Sequence, residues 1–444
     1  MKDYRQIIKI MEKLYIENFG GITKAEIELN KINVFIGPQA SGKSVCAKLF
    51  YFFKKVPDTI FNLIFTQENA VSDFKKLFVE YFEEIFPSHT YPKDLFIIIY
   101  EVENQYLKIE GKNKEIEISF SEFYSDLISW HESVKREYNT HTIQMIPEIG
   151  TLLQNKFFRK IQDSFQKKNY YTIKQTFIPA GRSFFSFFSK SLFSLLLYNK
   201  SISDKVFLEF ANTYNTIKYD ISNLKKDLSE VIHDISQDGY DHFSKLIESV
   251  LSGKYTNEND IDYLIHKDGR KIEVSFASSG QQESLPLILM LTYYYIKFYD
   301  WDLYRKHSIP ERYSTLYIEE PEAHLFPVAQ KAITELIASV YNINVGITQF
   351  IVTTHSPYII TAFDNLMQAG DLNNTLSEDK KKDLYNIVPK EQIISPDKVN
   401  AYLFDGGTCT SIIDPETKLI VADAIDNVST EIAIQFDKLL DLDE

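Results

Sequence analysis

Cysteine is nearly absent from the 444-residue chain: Cys46 and Cys409 are the only two, far apart in sequence. Such a pair builds neither a disulfide framework nor a metal knuckle and fits a reducing compartment, so a cytoplasmic location is expected. Positive charge is in deficit, with 48 Lys and Arg against 62 Asp and Glu and a formal net charge of −14. That balance excludes a surface uniformly coated for DNA, while a local basic groove inside an acidic whole stays open. Long apolar runs are missing too. The longest, Phe184–Tyr198 (broken by Lys190) and Leu285–Ile296, fall short of the roughly 20 residues that a spanning helix needs. The opening MKDYRQIIKIMEKLYIENFG lacks the apolar run and small-residue cleavage site of a signal peptide, so no membrane association is expected. Neither a repeat of roughly 20 to 50 residues nor a low-complexity tract is visible. Glycine supplies only 15 residues, which makes a glycine-bearing motif informative where one occurs.

What is present is an ordinary soluble composition, 44% hydrophobic and 25% charged, long enough for two or three domains' worth of core. One glycine-bearing motif stands near the start. Gly37-Pro38-Gln39-Ala40-Ser41-Gly42-Lys43-Ser44 matches G-x-x-x-x-G-K-[ST], with Val45 completing the nucleotide-binding set. In that pattern backbone N–H groups close around phosphates, the lysine reaches the outer phosphates and the serine ligates Mg²⁺. KINVFIG reads as a buried strand and SVCAKLFYFFKK as an amphipathic helix whose N-terminus points at the anion. Strand, loop and helix together set this apart from a chance glycine turn, and a nucleotide with Mg²⁺ is expected.

Far downstream, Thr315-Leu-Tyr-Ile-Glu319-Glu320-Pro321-Glu322 is an apolar strand ending in carboxylates. One acid delivered to the Mg²⁺ shell and a second orienting water is the arrangement phosphoryl transfer needs; a charged turn after a strand is the plain alternative. Gln349-Phe-Ile-Val-Thr-Thr-His355-Ser-Pro is another β-rich run ending in a histidine, which alone reads as a structural one. Between these motifs and the first, Phe276-Ala-Ser278-Ser279-Gly280-Gln281 precedes the apolar helix LPLILMLTYYYIKFY. Small residues at a helix start expose N–H groups to an anion, or merely cap the helix.

The order of these four motifs resembles the ABC-type ATPases, with ASSGQ at the place of their LSGGQ signature. IEEPEAHLFP and TTHSP, at Ile318–Pro327 and Thr353–Pro357, resemble the SMC, RecF and OLD-nuclease branch, as does the opening LYIENFGGITKAEIELNKINVFIG. Glu319 stands where most of the superfamily has aspartate, and Phe326 where the branch usually has histidine. The resemblance implies an α/β fold, a P-loop NTPase ABC-type head with a helical insertion. Carried over residue by residue, it implies that Lys43 and Ser44 hold phosphate and Mg²⁺, and that Glu319 supports the metal. It further implies that Glu320 polarises the attacking water and His355 contacts the γ-phosphate. Ser278–Gln281 would act on a partner's ATP, so that two nucleotides are sandwiched in a homodimer or higher homo-oligomer.

The interval from Gly42 to Ala277 is longer than a transporter-type subunit of this superfamily needs, so something is inserted. DLFIIIYEVENQYLKIEGKNKEIEISF reads as a hairpin around Gly111–Asn113 and DYLIHKDGRKIEVSF as one around Asp268-Gly269, both assigned to the head. Residues 121–170 and 201–252 show helical spacing. The expected organisation is 1–120 as the N-terminal part of the head, 121–255 as a helical lobe and 256–444 as the C-terminal part of the head. Within the lobe, residues 154–175 hold six basic residues against one acid, with interleaved aromatics. That composition suits a nucleic-acid surface, but charge runs on helices are usually solvated faces. Phe177-Ile-Pro-Ala-Gly181-Arg182-Ser183 resembles the branch's IPAERS segment. Arg182 there either faces phosphate or a neighbouring head, or belongs to a turn shaped by Pro179 and Gly181. The aromatic run at 184–198 reads as a buried helix or as a partner surface.

OLD-type enzymes continue into a Toprim nuclease, whose glutamate and D-x-D pair Asp423 and Asp426 do not reproduce in spacing. The chain is therefore expected to be an ATPase that cuts nothing itself. Stand-alone ATPases of this branch resemble the sensor subunits of anti-phage systems such as PARIS and Septu, which implies a separate toxin or nuclease as effector. A RecF-like DNA-clamping ATPase and a nucleotide-bound scaffold with little turnover are the alternatives.

Overall fold

The computed structural model describes residues 11–62, 74–92, 95–112, 115–137, 147–164, 172–187, 204–231, 237–259, 261–304, 313–343, 348–421 and 427–440. Its strands are β1 (Glu12–Phe19), β2 (Ile22–Leu29), β3 (Ile32–Ile36), β4 (Ile97–Val102), β5 (Gln105–Lys112), β6 (Glu115–Phe120), β7 (Thr172–Ile178), β8 (Lys254–Glu258), β9 (Ile261–Ile265), β10 (Lys271–Glu273), β11 (Tyr313–Glu319), β12 (Thr348–Thr354), β13 (Val399–Asp405) and β14 (Thr408–Ser411). Its α-helices are α1 (Lys43–Asn62), α2 (Phe74–Ile85), α3 (Glu122–Glu137), α4 (Pro147–Ser164), α5 (Ser183–Phe187), α6 (Lys205–Val231), α7 (Gln237–Leu251), α8 (Ser279–Tyr304), α9 (Pro327–Ile343), α10 (Pro357–Thr375), α11 (Glu378–Ile387) and α12 (Asn427–Leu440).

Eleven strands form one sheet in the order β6-β5-β4-β1-β2-β14-β13-β3-β12-β11-β7. The half from β6 to β2 is antiparallel, and β13, β3, β12, β11 and β7 run parallel. A central parallel strand is covered on both faces, and this explains why INVFI is apolar almost throughout. Val34 and Ile36 enter one core with residues of α6, α8, α9 and α10, while Phe35 enters the opposite core with Leu49, Phe50 and Phe53 of α1. Each such large side chain contributes about 1.5–3 kcal/mol on burial. Strand β12 lies between β3 and β11, with Val352 opposite both Val34 and Ile318. Ile36, Glu319 and Thr354 therefore end on one edge of the sheet, the edge at which parallel α/β sheets take ligands.

The interval between the phosphate-loop helix and the small-residue helix start departs from a simple lobe. Strand β7 falls inside it and forms the sheet's outer strand beside β11. Helices α3 and α4 bury Leu127, Leu153 and Phe157 in the core beneath α1, whereas α6 and α7 bury Phe210, Tyr214 and Phe243 in the other. The 97–120 region has a further turn at Glu103, so it gives three strands of the large sheet where one hairpin was expected. The Asp268-Gly269 hairpin joins β8 in a separate three-stranded sheet, not the large one. Among the described residues, no helix is long and apolar enough to cross a membrane.

Candidate functional site

Lys43 opens α1 directly behind the loop that follows β3, and its side chain is folded back into that loop. The ammonium donates to the carbonyls of Gly37 (2.8 Å) and Pro38 (2.7 Å), and lies 3.3 Å from Ser41 Oγ and 3.4 Å from His355 Nδ1. Lys43 is only 4% exposed, while Pro38, Gln39, Ala40 and Ser44 are exposed around it. Burial pulls its ammonium down to about 8, against the upward pull of Glu320 and Glu322. Gly37 takes φ +153°, and a Cβ there would meet the Phe404 carbonyl oxygen at 2.1 Å, so only glycine lets β13 approach the loop this closely.

Across from the loop, β11 delivers Glu319 and Glu320 in different environments. Glu319 is buried, with Oε2 accepting from the Ala180 N–H at 3.3 Å and Oε1 lacking any hydrogen-bond partner in the chain. Burial pushes its carboxyl up, opposed by the nearby Ser44 hydroxyl and the charge of Lys48. A buried carboxylate oxygen without a donor, beside a serine hydroxyl, is a pair of hard oxygen ligands that fits a divalent cation. Ser44 and Glu319 are thus the residues that would hold Mg²⁺.

Glu320 has the left-handed backbone conformation, φ 43°, which costs a non-glycine residue about 1–3 kcal/mol. The strain is held by hydrogen bonds on both sides of the residue. Its N–H donates to the Thr353 carbonyl at 2.9 Å, and its own carbonyl accepts from Arg182 Nη2 at 2.9 Å. The side chain stays accessible and lies 3.2 Å from His355 Nε2. Lysine has no acceptor, so the Nδ1 of His355 that faces Lys43 must accept, leaving the ring proton on Nε2 for Glu320. Glu322 fixes the base of this histidine: its Oε1 accepts from the His355 N–H at 2.6 Å and from Thr354 Oγ1 at 2.8 Å.

Ser278 caps α8 in a reciprocal capping box. Its hydroxyl faces the Gln281 N–H at 3.4 Å, and Gln281 Oε1 accepts from the Ser278 N–H at 3.1 Å. Ser278 and Ser279 are exposed, whereas Gln281 is buried and donates to the Leu251 carbonyl at 2.7 Å. Gly280 abuts the loop after β11, since a Cβ there would lie 2.6 Å from the His324 carbonyl oxygen. Further along, Pro286 has no N–H for the carbonyl of Gln282, and that oxygen instead accepts from Ser186 Oγ of α5 at 2.7 Å.

The structure thus brings Gly37–Val45, Glu319, Glu320 and His355 to one sheet edge. Among the described residues, no hydrogen bond or ion pair joins Ser278–Gln281 to that loop. Two residues there carry no role in the sequence reading, Glu322 and Thr354. They stand inside IEEPEAHLFP and TTHSP, and nothing in those runs tells that Glu322 would bind Thr354 and the His355 N–H. Arg182 faces neither phosphate nor a neighbouring head: it is wholly buried, turned inward by a chain reversal at Gly181 with φ +73°. In the basic 154–175 segment Phe157 is buried against Trp130 and Phe61, so this aromatic cannot stack on a base. Residues 165–171 of that segment, 188–198 of the aromatic run, and Asp423 and Asp426 lie outside the described residues.

Comparison with solved structures finds weak likenesses. The SMC head domain of Thermotoga maritima is 12% identical, with 90% of this chain and 98% of that one covered at a TM-score of 0.34. The Smc head domain of Pyrococcus furiosus, with an extended coiled coil and bound to the C-terminal domain of ScpA, is 12% identical, with 91% and 96% covered at 0.36. An Smc head bound to the C-terminal winged-helix domain of ScpA is 11% identical, with 90% and 96% covered at 0.37. No curated protein matches the chain. A family model does: that of the AAA ATPase domain covers residues 10–360. This span starts just ahead of β1 and ends past His355, enclosing the phosphate loop, both carboxylates and the histidine, and the chain belongs to the AAA ATPase domain family.

Proposed function

We propose that the protein hydrolyses ATP with Glu320 as the group that orients and deprotonates water and His355 as its orienting partner. The observation that carries this reading is the His355 bridge, which reaches Lys43 through one ring nitrogen and Glu320 through the other. The backbone N–H groups of Gly37–Val45 and the Lys43 ammonium bind the phosphates, with binding energy from a charge-assisted contact. Mg²⁺, when bound at Ser44 and Glu319, neutralises charge on the phosphate oxygens. Glu320 holds the water in line, and the Nε2 proton of His355 keeps its carboxylate aimed toward the phosphate loop.

The exposed start of α8 acts on the nucleotide of a second copy, giving a homodimer or higher homo-oligomer closed by ATP. The large apolar side chains of Phe276 (81% exposed), Phe326 (77%) and Tyr358 (54%), each beside one of the site's motifs, support that surface as the one the second copy covers. Such an assembly suits a sensor or scaffold that holds a separate toxin or nuclease in anti-phage defence, a step supported by the resemblance of IEEPEAHLFP and TTHSP alone. The head takes in 1–120 and 256–444 together with β7, and the helices of 121–255 are the insertion that receives trigger or effector. Light scattering of the purified protein with and without ATP tests the closure: mass should double with ATP and Mg²⁺. An unchanged mass distribution in protein that has bound ATP contradicts it.

A further inference from the structure

Arg182 is the largest fully buried side chain of the described residues, and its guanidinium donates four hydrogen bonds. Nε donates to the Glu283 carbonyl at 3.1 Å. Nη1 donates to the carbonyls of Pro179 (3.0 Å) and Glu319 (2.6 Å). Nη2 donates to the Glu320 carbonyl at 2.9 Å and stands 3.4 Å from Glu283 Oε1. Glu283, itself 1% exposed, accepts from the backbone N–H of Arg182 (2.8 Å) and Ser183 (2.7 Å). One guanidinium therefore joins three segments: the end of β7, the first turns of α8 and the carboxylate-bearing end of β11.

We infer that Arg182 is a positioning residue for ATP hydrolysis, a strut that sets the Glu320 carboxylate and ties it to the helix start at Ser278–Gln281. The inference rests on the ATPase reading above. Two of the carbonyls it holds are those of the metal-side and water-side glutamates, and the second belongs to a residue in the left-handed conformation. Without Arg182 that carbonyl keeps only the Ala323 N–H at 3.1 Å, a weaker hold that lets Glu320 relax toward an ordinary conformation and its carboxylate swing away from His355. The other end of the strut, Glu283, lies one residue beyond the buried Gln282, whose side-chain amide donates to the Val274 and Ser275 carbonyls at 3.0 Å. A load placed on the exposed Ser278–Ser279 start is thereby transmitted through α8 to the same chain's Glu320. A lysine cannot replace this fork, because one ammonium cannot hold planar, divergent contacts to three chain segments.

The test compares Arg182→Lys and Glu283→Gln with wild type and with Glu320→Gln. Nucleotide affinity is measured by fluorescent-ATP titration, turnover by steady-state and single-turnover hydrolysis, and folding by thermal melting. The expected result is ATP affinity within about twofold of wild type, KM little changed and kcat lower by at least about tenfold. In the Glu320→Gln background the residual single-turnover rate should fall no further, because the effect runs through Glu320. A purely structural role would instead lower melting temperature and affinity together and add to the Glu320→Gln loss. Folded Arg182→Lys with wild-type kcat overturns the inference, and so does an equal loss in the Glu320→Gln background. Should Arg182→Lys fail to fold, Glu283→Gln must show the same separation of kcat from affinity, and its absence is equally decisive. If wild type itself shows no turnover, the ATPase reading falls and takes this inference with it; turnover in wild type and variants alike removes the strut alone.

Discussion

The Nε2 of His355 stands 3.2 Å from Oε1 of Glu320, at the ends of two neighbouring parallel strands. The carboxylate proposed to orient water is thereby held from two sides, by its own strained backbone and by an imidazole whose other nitrogen faces Lys43. His355→Ala should remove one of these restraints and lower kcat by about 10²-fold, the low end of what a positioned acid–base group contributes. ATP affinity should change far less, and His355→Gln, which keeps a donor, should lose less than His355→Ala. Equal turnover in wild type and His355→Ala would show that the contact is incidental.

Lys43→Ala should weaken ATP binding by at least about tenfold, since the loop would then hold a tetra-anion with N–H groups alone. Titration of a fluorescent ATP analogue measures it, with far-UV circular dichroism to show an intact fold.

The same lysine gives a pH dependence with a definite sign. Its ammonium lies at about 8 in the folded chain, against 10.5 ordinarily, because burial penalises the charge. Between these values the unfolded chain binds the extra proton, so this group's contribution to stability rises with pH over that window. Bound ATP favours the charged form, so binding takes up protons and affinity falls as pH rises through about 8. Calorimetry at pH 8 in buffers of different ionisation enthalpy should register proton uptake in wild type and none in Lys43→Met.

Gly280 gives a packing prediction. A methyl group would be 2.6 Å from a backbone oxygen that cannot rotate away, so Gly280→Ala should cost about 1–3 kcal/mol and lower the melting temperature. Ser278→Arg, at an exposed position, should leave the fold intact and block ATP-dependent mass doubling. The two variants separate what the helix start does inside the chain from what it offers to a second copy.

That Gly37–Val45, Glu319, Glu320 and His355 meet at one sheet edge is legible in the sequence, because phosphate chemistry restricts residue types at fixed spacing, as at Gly42-Lys43-Ser44, and because apolar strands announce where carboxylates and a histidine are delivered. What escaped depends on contacts between distant segments. Arg182 and Glu283 are 101 residues apart, and nothing in Ala-Gly-Arg-Ser tells a buried fork from an exposed cation. Strand β7 sits between helix-forming stretches and owes its conformation to pairing with β11. Helical spacing in 154–164 shows a face but not what covers it, and only the packing of α3 and α1 on Phe157 tells a core aromatic from a stacking platform. The extra turn, Glu103-Asn104, carries no glycine or proline; Asn104 is its one turn-favouring residue, and Glu103 takes φ 53°.

Glu320→Gln puts the central claim to its most direct measurement, because the amide keeps size and hydrogen bonding but cannot take a proton from water. Hydrolysis should fall by roughly 10²-fold or more while ATP stays bound, and the doubled mass should accumulate with ATP and Mg²⁺. Wild-type turnover in folded, ATP-binding Glu320→Gln would contradict the account and move the chemistry away from the Glu320–His355 pair.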